Sequence, residues 1–233
     1  MLRSDNTPEL DPTAQPTFNR DRRVADGLFL IQIIAAFGFT GTQVILMLTN
    51  TEGISLTWLA FWWVFLLINL SLSLRAHKLQ PSRVTIQTVI TYGTWTLILA
   101  LCVAIYIWRE STIWTGVDTW TTGLSLSGIL ITLLVGYSNK LPISDPIVRG
   151  YLAVFFKAVP QLALSYHILM VGGAGMSTFA IVSGHITISS RLGQVLMSLR
   201  EAGWDRNRRG SAISEFANEG TWIIVTIAWL IVL

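Results

Sequence analysis

Lys157, Pro160 and Gln161 lie within about two helical turns of one another in KAVPQLALSYH, at the centre of a run that is otherwise apolar. A proline inside a helix removes one backbone bond and clashes with the carbonyl four residues before it. Pro160 therefore leaves the carbonyl of Phe156 short of a partner, which Gln161 or a water can supply, and a bendable joint follows. Lys157 is a charge at a depth where charges usually face a cavity or a partner. Further along the chain, Arg191, Glu215 and Glu219 fall at similar depths and predict an ion pair that could act as a gate. Histidine is the side chain best suited to taking up and releasing a proton, so His185 is a candidate for proton coupling, with His167 weaker. Asn218 offers a donor and an acceptor together, suited to a hydroxyl or carboxyl group.

Those side chains need an apolar scaffold, and composition supplies one. The 233 residues are 52% hydrophobic and 12% charged, with ten tryptophans and a formal charge of only +3. Charge at about half the usual level of about 25% points to lipid as the solvent, and the small net charge does not suggest a nucleic-acid partner. The single cysteine, Cys102, excludes a disulfide framework within the chain. Residues 1–26 read as a polar arm without the basic-then-apolar order of a secretory signal.

A bilayer core of about 30 Å needs roughly 20 helical residues. Seven segments meet or approach this: 27–49, 55–74, 84–108, 119–137, 147–170, 176–199 and 212–233. The last spans only if it carries Glu215, Asn218 and Glu219 into the membrane. An odd number of crossings puts 13 of the 16 Lys and Arg residues on the side of the N-terminus, including those of the expected loop WDRNRRGS. The positive-inside bias then makes the N-terminus cytoplasmic. Trp58, Trp108, Trp114 and Trp120 are expected at the opposite interface as an aromatic belt.

The first and last three spans carry matching markers in matching order: GTQ at 41–43 and VPQ at 159–161, GIS at 53–55 and GMS at 175–177, YGTW at 92–95 and EGTW at 219–222. Three crossings invert direction, so the fourth span, 119–137, would return the chain as a linker and leave two parallel three-helix repeats. The fold expected is an all-α membrane protein of seven transmembrane helices, with repeats at 27–109 and 147–233.

A Pro-Gln in a first helix, a Gly-x-Ser opening the second and an Asn in the third resemble the PQ-loop superfamily, which includes the SWEET sugar transporters and their half-size bacterial relatives. The resemblance implies alternating access of two bundles to a central site for a small polar metabolite, a sugar first, while the charges of Lys157, Arg191 and His185 suit a proton-coupled carboxylate or amino acid as the alternative. It assigns substrate contacts to Asn218, Thr91, Lys157, Gln161, Trp95 and Trp222, with Thr91 facing Asn218 across the central axis. Hinges fall at Pro160 and Gln161 and at Thr42 and Gln43, and gating or proton coupling at His185, Arg191, Glu215 and Glu219. Thr42 replaces the proline of the first repeat. The implied setting is a bacterial cytoplasmic (inner) membrane, with the bilayer and a small-molecule substrate as partners and a homodimer compatible.

Other classes fit less well. A retinal protein needs a lysine in its last span, and none follows Lys157. The three histidines lie on different segments without metal-ligand spacing, and no Ser-His-Asp signature or phosphate loop points to an enzyme. No cofactor is implied. A receptor or accessory subunit of a complex is the main rival, because fold does not determine function.

Overall fold

The computed structural model describes residues 15–109 and 113–233, with side chains apart from those of residues 15–23, 25 and 198–202. The described residues form helices and short connections, with no strand. Helix α1 (Gln15–Phe39) runs through a π-helical turn, Thr40–Val44, into α2 (Ile45–Thr49). Then come α3 (Leu56–Leu79), α4 (Arg83–Trp108) and α5 (Gly116–Ser138). Helix α6 (Pro146–Ala153) passes through a second π-helical turn, Val154–Ala158, into α7 (Val159–Val171). The chain ends in α8 (Thr178–Ala202) and α9 (Arg206–Val232).

Six of these helical stretches are long and apolar enough to cross a bilayer: Asp26–Thr49, Leu56–Leu79, Arg83–Trp108, Gly116–Ser138, Pro146–Val171 and Arg206–Val232. This is an integral membrane protein in length and composition, and large apolar side chains such as Leu97, Ile107 and Ile231 stand exposed on its outer surface. The sixth expected span is helical as α8 but is not among the six. His185, Arg191 and a series of serines and threonines lower its hydropathy below that of its neighbours.

Polar caps start the helices. Ser55 accepts from the amide of Trp58, and Ser82 with Thr85 and Thr115 with Asp118 form capping boxes. These satisfy amides that the first helical turn leaves unpaired. Asp145 caps α6, accepting from the amides of Ile147 and Val148, with Pro146 in the first turn. Two boundaries differ from the sequence expectation. Residues 15–26, expected as part of a loose arm, continue α1, while residues 1–14 lie outside the described residues. The basic segment expected as the loop at 204–211 is largely the first turn of α9, capped by Asp205 through the amide of Arg208.

Asp145 also accepts from Arg206 Nε at 2.8 Å, tying the start of α6 to the start of α9. Just inside this pair the backbones touch: a Cβ on Gly150 would stand 2.6 Å from the carbonyl oxygen of Gly210, and one on Gly210 only 2.0 Å from that of Pro146. Partial desolvation raises the Asp145 pKa, but the Arg206 guanidinium and the two amides outweigh it and hold the carboxyl below the usual range. A depressed carboxylate contributes stability above its unfolded pKa of about 3.9, and the contribution is lost as pH falls through the lower folded value. Asp145→Asn is therefore expected to lower the unfolding temperature at neutral pH and to narrow its gap from wild type below about pH 4. A gap that stays constant from neutral to acid pH would contradict this linkage.

The helices pack in a closed set. α3 lies on α4, α1 on α8, and α9 on α6, α7 and α8, while α3 meets α7 and α5 covers α6 and α7. Close approach depends on small residues. A Cβ on Gly38 would meet the Phe179 ring at 2.3 Å, and one on Gly128 the Phe155 ring at 2.2 Å. The main core joins both halves of the chain, with Phe39, Trp58, Leu99, Leu164, Ile181 and Trp222 all inside it.

Candidate functional site

The site is built on the two interrupted spans and on α9. The amide of Val159 bonds the carbonyl of Val154, five residues back, so the helix widens by one residue just before Pro160. The π turn is how this chain accommodates a proline that cannot donate. The first span widens at Thr40–Val44 without a proline. There Thr40 and Thr42 donate from their hydroxyls to the carbonyls of Ala36 and Gly38, at 2.8 and 2.9 Å. Such back-bonding satisfies carbonyls and bends helices.

Within the membrane these elements enclose a cavity of about 40 Å³ lined by residues from both halves of the chain, including Phe39, Trp62, Trp95, Lys157, Gln161, Thr187, Arg191, Glu215, Asn218 and Trp222. Gln161 Nε2 donates to Asn218 Oδ1 at 3.0 Å, and the Thr221 hydroxyl donates to Gln161 Oε1. Gln161 thus fixes the Asn218 amide with its oxygen occupied. The Lys157 ammonium lies 5.8 Å from the centre of the Phe65 ring, and the side chain is only 5% exposed. Arg191 approaches Glu215 at 3.7 Å, a loose pair that leaves Glu215 Oε2 without a hydrogen bond.

Trp95 and Trp222, set by matching motifs, are both buried against the cavity. Trp222 stacks on Trp58 with ring centres 6.3 Å apart, and Trp95 packs on Trp62 and Phe39 at 5.6 and 5.3 Å. Gly184 makes room for this wall, because a Cβ there would meet Trp222 Nε1 at 2.4 Å. Trp58, expected in the interfacial belt, is 1% exposed and packs in the core against Trp222 instead. Trp108, Trp114 and Trp120 are exposed, as a belt requires.

The two ends of the cavity differ. Towards the face bearing the basic residues, Tyr92, Arg191 and Glu215 also line a wider opening of about 620 Å³. Tyr92 borders a further space of about 100 Å³ beside Asn69 and Arg149, whose guanidinium donates to Asn69 Oδ1 at 2.7 Å. Towards the opposite face, the connections 50–55 and 172–177 meet backbone to backbone. The amide of Gly175 donates to the carbonyl of Glu52 at 3.0 Å, and a Cβ on Gly53 would stand 2.0 Å from the Gly172 oxygen. The cavity shares Tyr92, Arg191 and Glu215 with the wider space on the basic side, and the two connections close over the opposite ends of the helices.

Several expected residues fall elsewhere. Thr91 lines the wide opening, not the cavity, and its hydroxyl bonds the carbonyl of Gln87 in its own helix, so it does not face Asn218. Gln43 does not flex freely: its Nε2 donates to the Gly175 carbonyl at 2.7 Å and its Oε1 accepts from the Ser177 amide at 3.0 Å. Thr42 accepts from the Ser177 hydroxyl. Both residues tie the first span to the start of α8 and belong to the seal. Glu219 does not pair with Arg191. Its Oε1 lies 2.8 Å from His185 Nδ1, while His185 Nε2 lies 2.8 Å from the Thr226 hydroxyl, outside the cavity and edge-on to Trp222.

Tyr92, Phe39, Trp62 and Thr187 at the cavity, and Asp118 near the sealed face, are not among the residues expected from the sequence. Asp118 is 1% exposed and accepts from the hydroxyls of Ser55, Thr57 and Thr115, the Thr115 amide and His167 Nε2. It binds the starts of α3 and α5 to α7. The Thr115-x-x-Asp118 spacing signalled its capping role, whereas its long-range partners had no signal in the sequence. No protein-family model matches this chain, and no curated protein or solved structure matches it.

Proposed function

We propose that this protein is a membrane carrier that moves a small polar solute between the two faces by alternating access of its halves. The observation that carries the reading is the central cavity, polar at Gln161 and Asn218, walled by Trp95 and Trp222, adjoining the wider space on the basic side and covered by the two connections at the other. In this reading the first three and last three spans are parallel repeats and α5 is their linker. A twofold relation would exchange the contact of α1 with α8 for that of α7 with α3, and both are present. It would likewise pair Gly53 with Gly175, which lie together in the seal. The charge count puts the basic face, and so the present opening, in the cytoplasm.

A sugar, expected from the resemblance, has the two tryptophan walls in its favour. A cavity of about 40 Å³ is too small for a hexose ring without movement of those walls. A solute of a few heavy atoms fits the observed shape better, since one water takes about 10–15 Å³ on this measure.

Counterflow of labelled solutes in liposomes tests the carrier. Saturable exchange that Asn218→Ala abolishes is expected, and absence of exchange for every solute tried, by folded and inserted protein, would contradict it. Pro160→Ala restores an amide donor at the widened turn and should stiffen the joint. Exchange is expected to slow about tenfold, the effect of about 1.4 kcal/mol of added barrier, with solute affinity nearly unchanged. Equal losses in rate and affinity would argue against a hinge.

A further inference from the structure

We infer that the cavity is a carboxylate site, built for a small monoanionic organic acid with Lys157 as its counter-ion. The inference names the solute class of the proposed carrier and rests on that reading for flux, though not for binding. Three donor groups at the cavity have no acceptor among the described residues. The Lys157 ammonium has an aromatic ring beside it and no hydrogen bond, and the one carboxylate that acts on its charge, Glu215, is shared with Arg191. The Thr187 hydroxyl is buried without a partner. The Asn218 side-chain amide donates to nothing, because Gln161 engages only its oxygen.

Buried donors without acceptors are costly, and a buried ammonium more so. A carboxylate supplies acceptors to all three at two oxygens, and its charge offsets the positive excess that Glu215 alone leaves. Formal charge at the cavity agrees. Lys157 and Arg191 contribute two positive charges and Glu215 one negative. One bound monoanion makes the sum zero, a neutral solute leaves an excess positive charge, and a dianion overshoots. The volume of about 40 Å³ corresponds to roughly three waters, which suits a short acid such as propionate. Its hydrocarbon end would meet the Phe39, Trp62 and Trp95 rings.

The tryptophans at the cavity report on binding. Purified protein in detergent is titrated with propionate and with propionamide, the neutral isostere, at constant ionic strength, while tryptophan fluorescence is followed. The expected result is a saturable response to propionate, at least tenfold weaker for propionamide. Lys157→Gln should abolish the preference and Lys157→Arg retain it. Thr187→Val, a milder change, should weaken propionate several-fold without altering the unfolding temperature. Equal responses to acid and amide, a preference unchanged in Lys157→Gln, or propionate affinity unchanged in Thr187→Val would overturn the carboxylate site. Counterflow separates the two readings. Exchange of a neutral solute with no propionate binding upholds the carrier and overturns the anion site. Propionate binding that depends on Lys157, without exchange of any solute, upholds the anion site and removes the carrier.

Discussion

Asp118→Ala is expected to destabilise the protein more than truncation of any single partner of that carboxylate. Asp118 is 1% exposed, and His167, with which it pairs at 2.6 Å, is equally buried. The Thr57 hydroxyl at 2.8 Å and the Thr115 hydroxyl at 2.7 Å bond the same carboxyl group. Removing the carboxylate strands all of these donors in an apolar setting. Breaking a buried pair from one side costs about 3–5 kcal/mol, whereas Thr57→Val, which removes one donor and leaves the others bonded, should cost about 1 kcal/mol. Unfolding in detergent, followed by tryptophan fluorescence, gives the order. Asp118→Ala should fall furthest and His167→Ala next. A change under about 0.5 kcal/mol for Asp118→Ala, the range of ordinary surface substitutions, would mean that the cluster is not a structural clamp.

Gly53→Val should combine a loss of stability with a leak. Gly53 has φ +77°, the left-handed region, where a non-glycine residue costs about 1–2 kcal/mol and a β-branched one more. The Cβ would also stand 2.0 Å from the Gly172 oxygen and 3.4 Å from the Ile168 Cα, both backbone atoms that no rotamer change can move. The two connections must separate, and the seal they form should open. The expected readout is a lower unfolding temperature together with access of a hydrophilic reagent to the cavity from the normally sealed face. Gly193→Ala is the control, since a Cβ there meets nothing within 4 Å and alanine favours a helix. Gly53→Val with an intact seal would show that these connections do not close the path.

Much of the scaffold was legible because lipid imposes simple rules. Helix length and hydropathy located six of the seven expected spans, and Pro160 marks a break that the structure places one turn earlier, in a π-helical turn. The first-span break at Thr40–Val44 carried no proline and could be suspected only from its likeness to the second. Pairwise contacts were less legible. Glu215 and Glu219 are four residues apart and looked equivalent to Arg191, yet only Glu215 reaches it, while Glu219 turns to His185. That choice depends on how α8 and α9 rotate against each other, which no local pattern encodes. The repeat alone sets Thr91 opposite Asn218, but the next residue, Tyr92, is the one that reaches the cavity. The Asp118 cluster stayed hidden because its partners come from three helices whose packing had first to exist.

Two-sided access to the cavity is the central claim, and one measurement addresses it directly. Ile188 lines the cavity and is 6% exposed, and the native Cys102 is fully buried. Ile188→Cys in a Cys102→Ala background, inserted in vesicles in one orientation, is exposed to a membrane-impermeant thiol reagent from either side, with and without solute exchange. The account predicts labelling from the basic face at rest, and labelling from the opposite face that rises when solute exchange begins. Labelling confined to the basic face under all conditions would contradict alternating access.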